Sequence, residues 1–391
     1  MVPTLCLFDR FDNRLGILSV SGAMVHTEEL GGEDTLELGC YAAPEKGDRL
    51  LWRDPEDKAW REHVVVRTEE PLCGPARVYA ESSLCELLGD FIEEAQLVGK
   101  TAEQAMTAAL APTRWTLGDV GVGETKRGCL LYHVNALAAV RRIEEVWGGE
   151  AEAGLMVSGG RVASRTLSLP ARRGAWRGAR VTYGKGLASC TRTVLEDEVF
   201  TALYGYGKGL PVYDDEGAAT GGFTRRLTFG KVNGGANWIG DEAARLEWGR
   251  WDAARGAKVH RFGSVVFPDC EDASELLALT RAELARVSSP QVSYEVDAAD
   301  VLGCGAVGLG DDVAVCDDSR APGLRVRARC VRRVRTFGER TLGHRLTLGQ
   351  AERSAWAAAS ETAARVASVE ETAATAADTV GSLEDLGSRR F

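Results

Sequence analysis

No two of the ten cysteines stand close enough to make a CxxC pair, so a zinc site of the usual spacing is excluded. Scattered through a chain of this length, the thiols read as small buried hydrophobes rather than a disulfide framework, and reduced thiols suggest folding in a cytoplasm. A secretory signal is also missing. The opening "MVPTLCLFDRFDNRLG" meets charge at Asp9 and Arg10 before any long apolar run. Nowhere is an uninterrupted apolar stretch long enough to span a bilayer, so the expectation is a soluble chain. Basic excess is lacking as well: Lys and Arg number 47 against 57 Asp and Glu, a net charge of −10. Phosphate neutralisation supplies most nucleic-acid affinity, so a dedicated DNA or RNA binder is not expected.

Catalytic signatures are equally sparse. Among five histidines no two share i, i+4 spacing, which removes HExxH, and no GxSxG elbow occurs. The repeated YGKGL, at Tyr183–Leu187 and Tyr206–Leu210, sets glycines beside a lysine as a phosphate loop does. A P-loop, however, needs a glycine five positions before its Gly-Lys. Ala179 and Ala202 stand there instead, and Glu94 stands there for Gly99–Lys100–Thr101. "GCGAVG", Gly303 to Gly308, spells GxGxxG, but the strand-like "LGDDVAVCD" follows where a dinucleotide fold needs a helix N-terminus. Carboxylates are too numerous for spacing to single out an acid/base pair, and no local pattern pairs a cysteine with a histidine. No catalytic, cofactor-binding or metal-binding residue is nominated.

What the chain does have is strand punctuation. Through residue 95, short runs such as "LGILSV", "TLELGCY" and "REHVVVRTEE" alternate with Gly, Asp, Asn and Pro. From 80 onward the period lengthens: Leu84, Leu87, Leu88, Phe91 and Ile92 fit one helical face. Thr101 with Gln104 forms a capping box, and Asn135 caps a helix that stops at Gly148–Gly149. Strands resume after 150, "DASELLALTRAELARV" reads as a helix, and a last β-block follows. In it "RVRARCVRRVRT" alternates Arg and Val, the pattern of a strand whose arginines line a wet face. Beyond Gln350 the composition turns to Ala, Glu, Thr and Ser. There Val366, Val369, Ala373, Ala376, Val380 and Leu383 keep 3-4-3-4-3 spacing, a heptad seam that either oligomerises or lies on a single surface helix.

Several segments in order resemble one family. "VFTALYGYGKG", Val199 to Gly209, resembles the "vTRLYxYGk" segment of phage tail-tip hub proteins, the N-terminal portion of prophage tail endopeptidases or tail-associated lysins. It aligns Thr201, Leu203, Tyr204, Tyr206 and Gly207. "VTYGKGLASCTRTV" resembles the family's preceding strand at Tyr183, Gly184 and Lys185. "NALAAVRRIEEVWGGE" resembles its Gly-Gly-Glu-ending helix, and "VGLGDDVAV", with Leu309, Gly310 and Asp311, resembles a closing strand. Ala202 departs from the family's arginine and Gly186 from its asparagine.

The resemblance implies an α+β, predominantly β fold, with two β-barrel-like, baseplate-hub-like domains, α/β inserts and a C-terminal helix. The expected divisions are a β-rich hub domain at 1–95 and an α/β insert at 96–175. A second β-rich hub domain follows at 176–350, with a helical insertion near 240–287, and a helix at 351–391. It further implies a non-enzymatic homotrimeric ring at the distal tip of a phage tail, adapting a sixfold tube to a threefold tip. Its partners would be itself, the distal tail or tail-tube protein, the tape-measure protein and tip or receptor-binding proteins. DNA would pass the lumen without specific binding, no cofactor is implied, and assembly would occur in the host cytoplasm. A hydrolase, found after the hub in many relatives, would lie on another polypeptide. The alternatives are a peptidoglycan hydrolase and a carbohydrate-binding module, the latter suggested by nine tryptophans.

Overall fold

The computed structural model describes residues 2–183, 186–195, 199–213, 219–268, 270–288, 291–298, 307–317, 324–338 and 342–349. They fall into two compact units, one built from the described residues within 1–193 and 293–349 and the other from those within 194–292. The heptad positions Val366 to Leu383, with Gly184 and Lys185, lie outside the described residues.

The first unit opens with seven strands: β1 (Leu5–Phe8), β2 (Arg14–Leu18), β3 (Val20–Glu29), β4 (Asp34–Cys40), β5 (Arg49–Arg53), β6 (Trp60–Glu69) and β7 (Ala76–Ser82). They pair in the order β2-β1-β5-β6-β7-β4-β3. Alternate residues point inward, and Leu5, Met24, Leu36, Leu50, Trp52, Val65 and Ala80 form a core.

Next comes an α/β segment. It runs β8 (Phe91–Lys100), α1 (Ala102–Leu110), β9 (Thr116–Val120), β10 (Arg127–Asn135), α2 (Ala136–Trp147), β11 (Glu152–Ser158) and β12 (Arg161–Leu169). Both helix starts follow the capping signals: Thr101 and Gln104 bond reciprocally, and the Asn135 side chain accepts the Ala138 N–H. Gly148 ends α2 with a φ of 82°. The expected helix through Leu84–Ile92 does not form. A 3₁₀ turn, Ser83–Leu88, ends at Gly89, and the chain runs into β8, which pairs with β10. There Leu87 is buried while Leu88 and Phe91 face outward, so the supposed helical stripe divides between two elements. Short apolar runs fit either period, and pairing to β10 decided this one.

The unit closes with β13 (Trp176–Tyr183), β14 (Gly186–Leu195) and, after the second unit, β22 (Gln291–Ala298), β23 (Asp312–Asp317), β24 (Leu324–Phe337) and β25 (Leu342–Gly349). The chain thus is predominantly β. The strand sequence β24-β23-β13-β14-β22-β25 returns to β24, closing six strands on themselves, while β24 also pairs with β3. One long strand therefore belongs to the closed circuit and extends the seven-stranded sheet. Phe337, at its end, is a core residue among Leu5, Trp52 and Val65.

The second unit contains β15 (Ala202–Tyr206), β16 (Gly209–Tyr213), β17 (Ala219–Arg226), β18 (Trp238–Gly240), α3 (Glu242–Trp248), β19 (Arg250–Asp252), β20 (Ala257–Val259), β21 (Phe262–Val266) and α4 (Ala273–Val287). Strands β18-β15-β21 form a sheet. Leu203 packs with Leu284 and Val287 of α4, and Phe229 with Leu276 and Leu277.

Candidate functional site: a buried ionic seam

Strand β24 brings charge where the Arg/Val alternation promised valine. Its exposed and buried faces exchange at Cys330–Val331, where both residues are buried and the register to β25 slips. One extra residue in a strand flips every later side chain to the other face. Arg327 is exposed before the slip; Arg333 and Arg335 are buried after it, at 2% and 0% exposure. The expected wet arginine face is thus overturned for these two.

Opposite them in register stand Glu28 and His26 of β3. Arg335 donates through Nη1 to Asp54 (2.9 Å) and Glu56 (2.7 Å), and through Nη2 to His26 Nδ1 (2.7 Å). Arg333 donates through Nε to Glu28 (3.0 Å) and through Nη1 to the Val307 carbonyl (2.9 Å). Arg61 of β6 bridges Glu28 (2.7 Å) and Asp54 (2.8 Å), and His344 of β25 meets Glu56 at 3.2 Å. Burial alone would raise the carboxyl of Glu28. Arg61, His26, Arg333 and Arg335 instead hold it well below the usual range. At Asp54 burial is likewise outweighed by Arg335 and Arg61.

Beside this seam, His26 Nε2 and His63 Nε2 lie 2.9 and 3.1 Å from one Asp34 oxygen. Two histidines and an aspartate this close are the donor set of a metal centre. Their outer partners decide otherwise. His26 Nδ1 faces an Arg335 N–H, and His63 Nδ1 faces the Trp52 indole N–H at 3.2 Å. Guanidinium and indole only donate, so both Nδ1 atoms accept and both rings carry their proton on Nε2, toward Asp34. Metal ligation at Nε2 would need that proton on Nδ1, against those donors. The residues do not fit a metal ion; they form a hydrogen-bonded group in which both rings donate to the Asp34 carboxylate. Burial lowers the His26 pKa to about 4, partly offset by Glu28 and Asp34.

A second ionic group ties β12 to β6. Arg165 forks onto Glu62 at 2.7 and 2.6 Å, while Arg114 forks onto Glu86 at 2.8 Å through both nitrogens. A third holds Arg329 bidentate on Glu150 at 2.6 Å.

The family-motif residues occupy structural positions. Asp311 is buried and accepts the N–H of Gly308 (2.9 Å) and of Ala175 (2.8 Å). Gly310 has φ 86°, and a Cβ there would lie 2.5 Å from the Arg173 carbonyl oxygen, so only glycine serves. Leu309 is buried beside them. Thr201 has no exposed surface; its hydroxyl accepts the Arg261 N–H (2.8 Å) and bonds His260 Nδ1 (3.0 Å). His260 Nε2 lies 3.9 Å from Glu242. The constellation resembles a nucleophile–histidine–acid row, yet no substrate carbonyl reaches a hydroxyl that is fully buried and already bonded. Leu203 and Gly207 face α4 and the Cys270 carbonyl, Tyr204 and Tyr206 the opposite side, and Tyr183 ends β13.

None of the seam residues was nominated from sequence. The one available signal is the Arg332–Arg333 doublet, which interrupts the alternation where the strand slips.

Residues 176–355 match the family model described as Prophage endopeptidase tail. No curated protein matches the chain. Among solved structures, the 43 kDa tail protein of prophage MuSo2 from Shewanella oneidensis is similar with a TM-score of 0.59 at 12% identity, covering 88% of this chain and 98% of that one. The prophage tail protein gp18 from Listeria monocytogenes EGD-e reaches 0.57 at 13% identity, covering 90% and 95%. The tail protein from Neisseria meningitidis MC58 reaches 0.58 at 11%, covering 91% and 98%. The resemblance drawn from the motifs is therefore met: residues 176–355 match the prophage endopeptidase tail family model, and the chain shares the fold of prophage tail proteins over most of its length.

Proposed function

We propose that the chain is a structural, non-enzymatic hub at the distal tip of a phage tail or tail-like particle. It would assemble as a homotrimeric ring between the sixfold tube and a threefold tip. The observation that carries this reading is the prophage tail fold, shared over nearly the whole length of three tail proteins. Three copies offering two β-rich portions each, from 1–95 and 176–350, supply six units around one axis. The tube protein, the tape-measure protein and tip proteins are its partners in this reading, and the heptad positions near 366–383 would lie along the threefold axis. A net charge of −10 suits a lumen that passes DNA without retaining it. Sedimentation and electron microscopy of the purified full chain test the proposal. A mass of three chains and a ring with threefold symmetry are expected; a strict monomer at high concentration overturns it. The non-enzymatic half is tested on purified cell walls, where release of soluble fragments would overturn it.

A further inference from the structure

Among the described residues, α4 packs against one face of the three-stranded sheet of the second unit. On the other face its register sets three rows side by side. Gly240, Ala202 and Phe262 form one, Trp238, Tyr204 and Ser264 the next, and Tyr206 with Val266 the last. All eight residues are uncharged, in a chain where 27% of residues carry charge. Their rings form one connected group. Phe262 lies 5.2 Å from Trp238 and 5.7 Å from Tyr204, and the Tyr204 and Tyr206 rings are parallel within 8° at 6.4 Å. Phe262 and Val266 are 48% and 44% exposed, and Trp238, Tyr204 and Tyr206 are partly so. The family segment thus spends Leu203 on the core and its two tyrosines on a partly exposed face, a use of them that the hub reading leaves unexplained.

We propose that this face binds a neutral glycan, with pyranose rings laid on Trp238, Tyr204 and Tyr206. A pyranose presents a C–H face, whose slightly positive hydrogens suit the negative face of an aromatic ring, and a rim of hydroxyls. The tyrosine hydroxyls and Ser264 give that rim polar partners among the rings. Charge selects among ligands that stack. A single-stranded nucleic acid would use the same rings but needs a cationic track, and these rows hold no Lys or Arg. Anionic glycans are disfavoured for the same reason. A protein partner would bring aliphatic and Arg anchors to a core of mixed composition; here every large side chain but Val266 is aromatic. The proposal stands whether or not the chain assembles as a ring.

The test uses the full chain with chitohexaose, a neutral β-linked hexasaccharide, followed by calorimetric titration and tryptophan fluorescence. Saturable binding is expected, weakened about tenfold or more by Tyr204→Ala or Trp238→Ala, since each ring removed takes on the order of one stacking contact. Tyr204→Phe, which keeps the ring, should bind within about threefold of the parent on the same reasoning. Sedimentation of each variant in parallel reads self-association, and a parent-like melting transition certifies the fold. No binding by the parent up to the solubility of the sugar overturns the proposal, as does binding that Tyr204→Ala and Trp238→Ala leave unchanged. A loss of self-association in those variants without saccharide binding by the parent would overturn it too, in favour of a contact between copies.

Discussion

Arg335 keeps its full charge with none of its surface exposed, so it rests on Asp54, Glu56, Glu28 and the lone pair of His26. Removing one member of a buried pair strands the others in a medium that penalises charge. Arg335→Leu should therefore cost about 3–5 kcal/mol, read as a lower calorimetric melting temperature. By contrast Arg10→Ala, which breaks a 3.3 Å pair between exposed side chains, should cost no more than about 1 kcal/mol. Equal losses for the two would refute the weight given to the seam. His26 sets a pH dependence of known sign. Its folded pKa of about 4 lies below the 6.5 of the free side chain, so between those values the unfolded chain holds the extra proton. Stability contributed by neutral His26 is intact above about 6.5 and lost as pH falls toward 4, by on the order of 3 kcal/mol. Glu28, Asp34 and Asp54, all depressed, add a further loss at lower pH, because each must be protonated on unfolding in acid. In His26→Gln, denaturation followed from pH 7 to pH 2 should lose the first part of this slope and keep the second.

At the scale of elements, legibility followed locality. The caps at Thr101 and Asn135 and the stop at Gly148 were readable, because each is satisfied within one turn of its own chain. The β-rich ends were readable too, from strand runs and turn residues. Two misreadings share one cause, a partner distant in sequence. Residues 91–92 became strand because β10, some forty residues away, completes the ladder. Arg333 and Arg335 went inside because a slip against β25 turned β24 over, and because carboxylates at 28, 54 and 56 were waiting. A single sequence shows the charges but not their pairing, so the ionic seam and the His26–Asp34–His63 group had no signal of their own. Two substitutions check the local readings. Asn135→Ala removes the acceptor of the Ala138 N–H and should cost about 1 kcal/mol. Gly207→Ala would set a Cβ 2.6 Å from the Cys270 carbonyl oxygen, a backbone clash expected to cost about 1–3 kcal/mol. Thermal melts measure both, and an unchanged Gly207→Ala would mean that β15 has room to shift.

The molecule as a whole joins its N-terminal sheet to residues near its described end. Strand β24 runs antiparallel to β3 from Arg332↔Glu29 to Phe337↔Met24, so one sheet takes strands from chain positions some three hundred residues apart. Three things are lost together if that strand is absent. Phe337 leaves the core around Trp52, at a ring separation of 5.8 Å. Glu28, Asp54 and Glu56 lose Arg333 and Arg335, leaving Arg61 to balance the carboxylates of Glu28 and Asp54. The backbone of β3 becomes a free edge next to stranded charge, a poor template for ordered pairing. Lost aromatic packing and a broken buried ion group each cost about 3–5 kcal/mol, and their sum rivals the roughly 5–15 kcal/mol by which a domain is stable. A fragment of residues 1–175, though it contains seven strands and the whole α/β segment, should therefore show no cooperative calorimetric transition for its β1–β7 sheet and little hydrogen-exchange protection in β3. A fragment that melted cooperatively at the temperature of the full chain would show the seam to be dispensable. The expected failure follows from where the chain puts its charges: the carboxylates that must be neutralised lie on early strands, and two of the arginines that neutralise them arrive on β24, after most of the chain has been made.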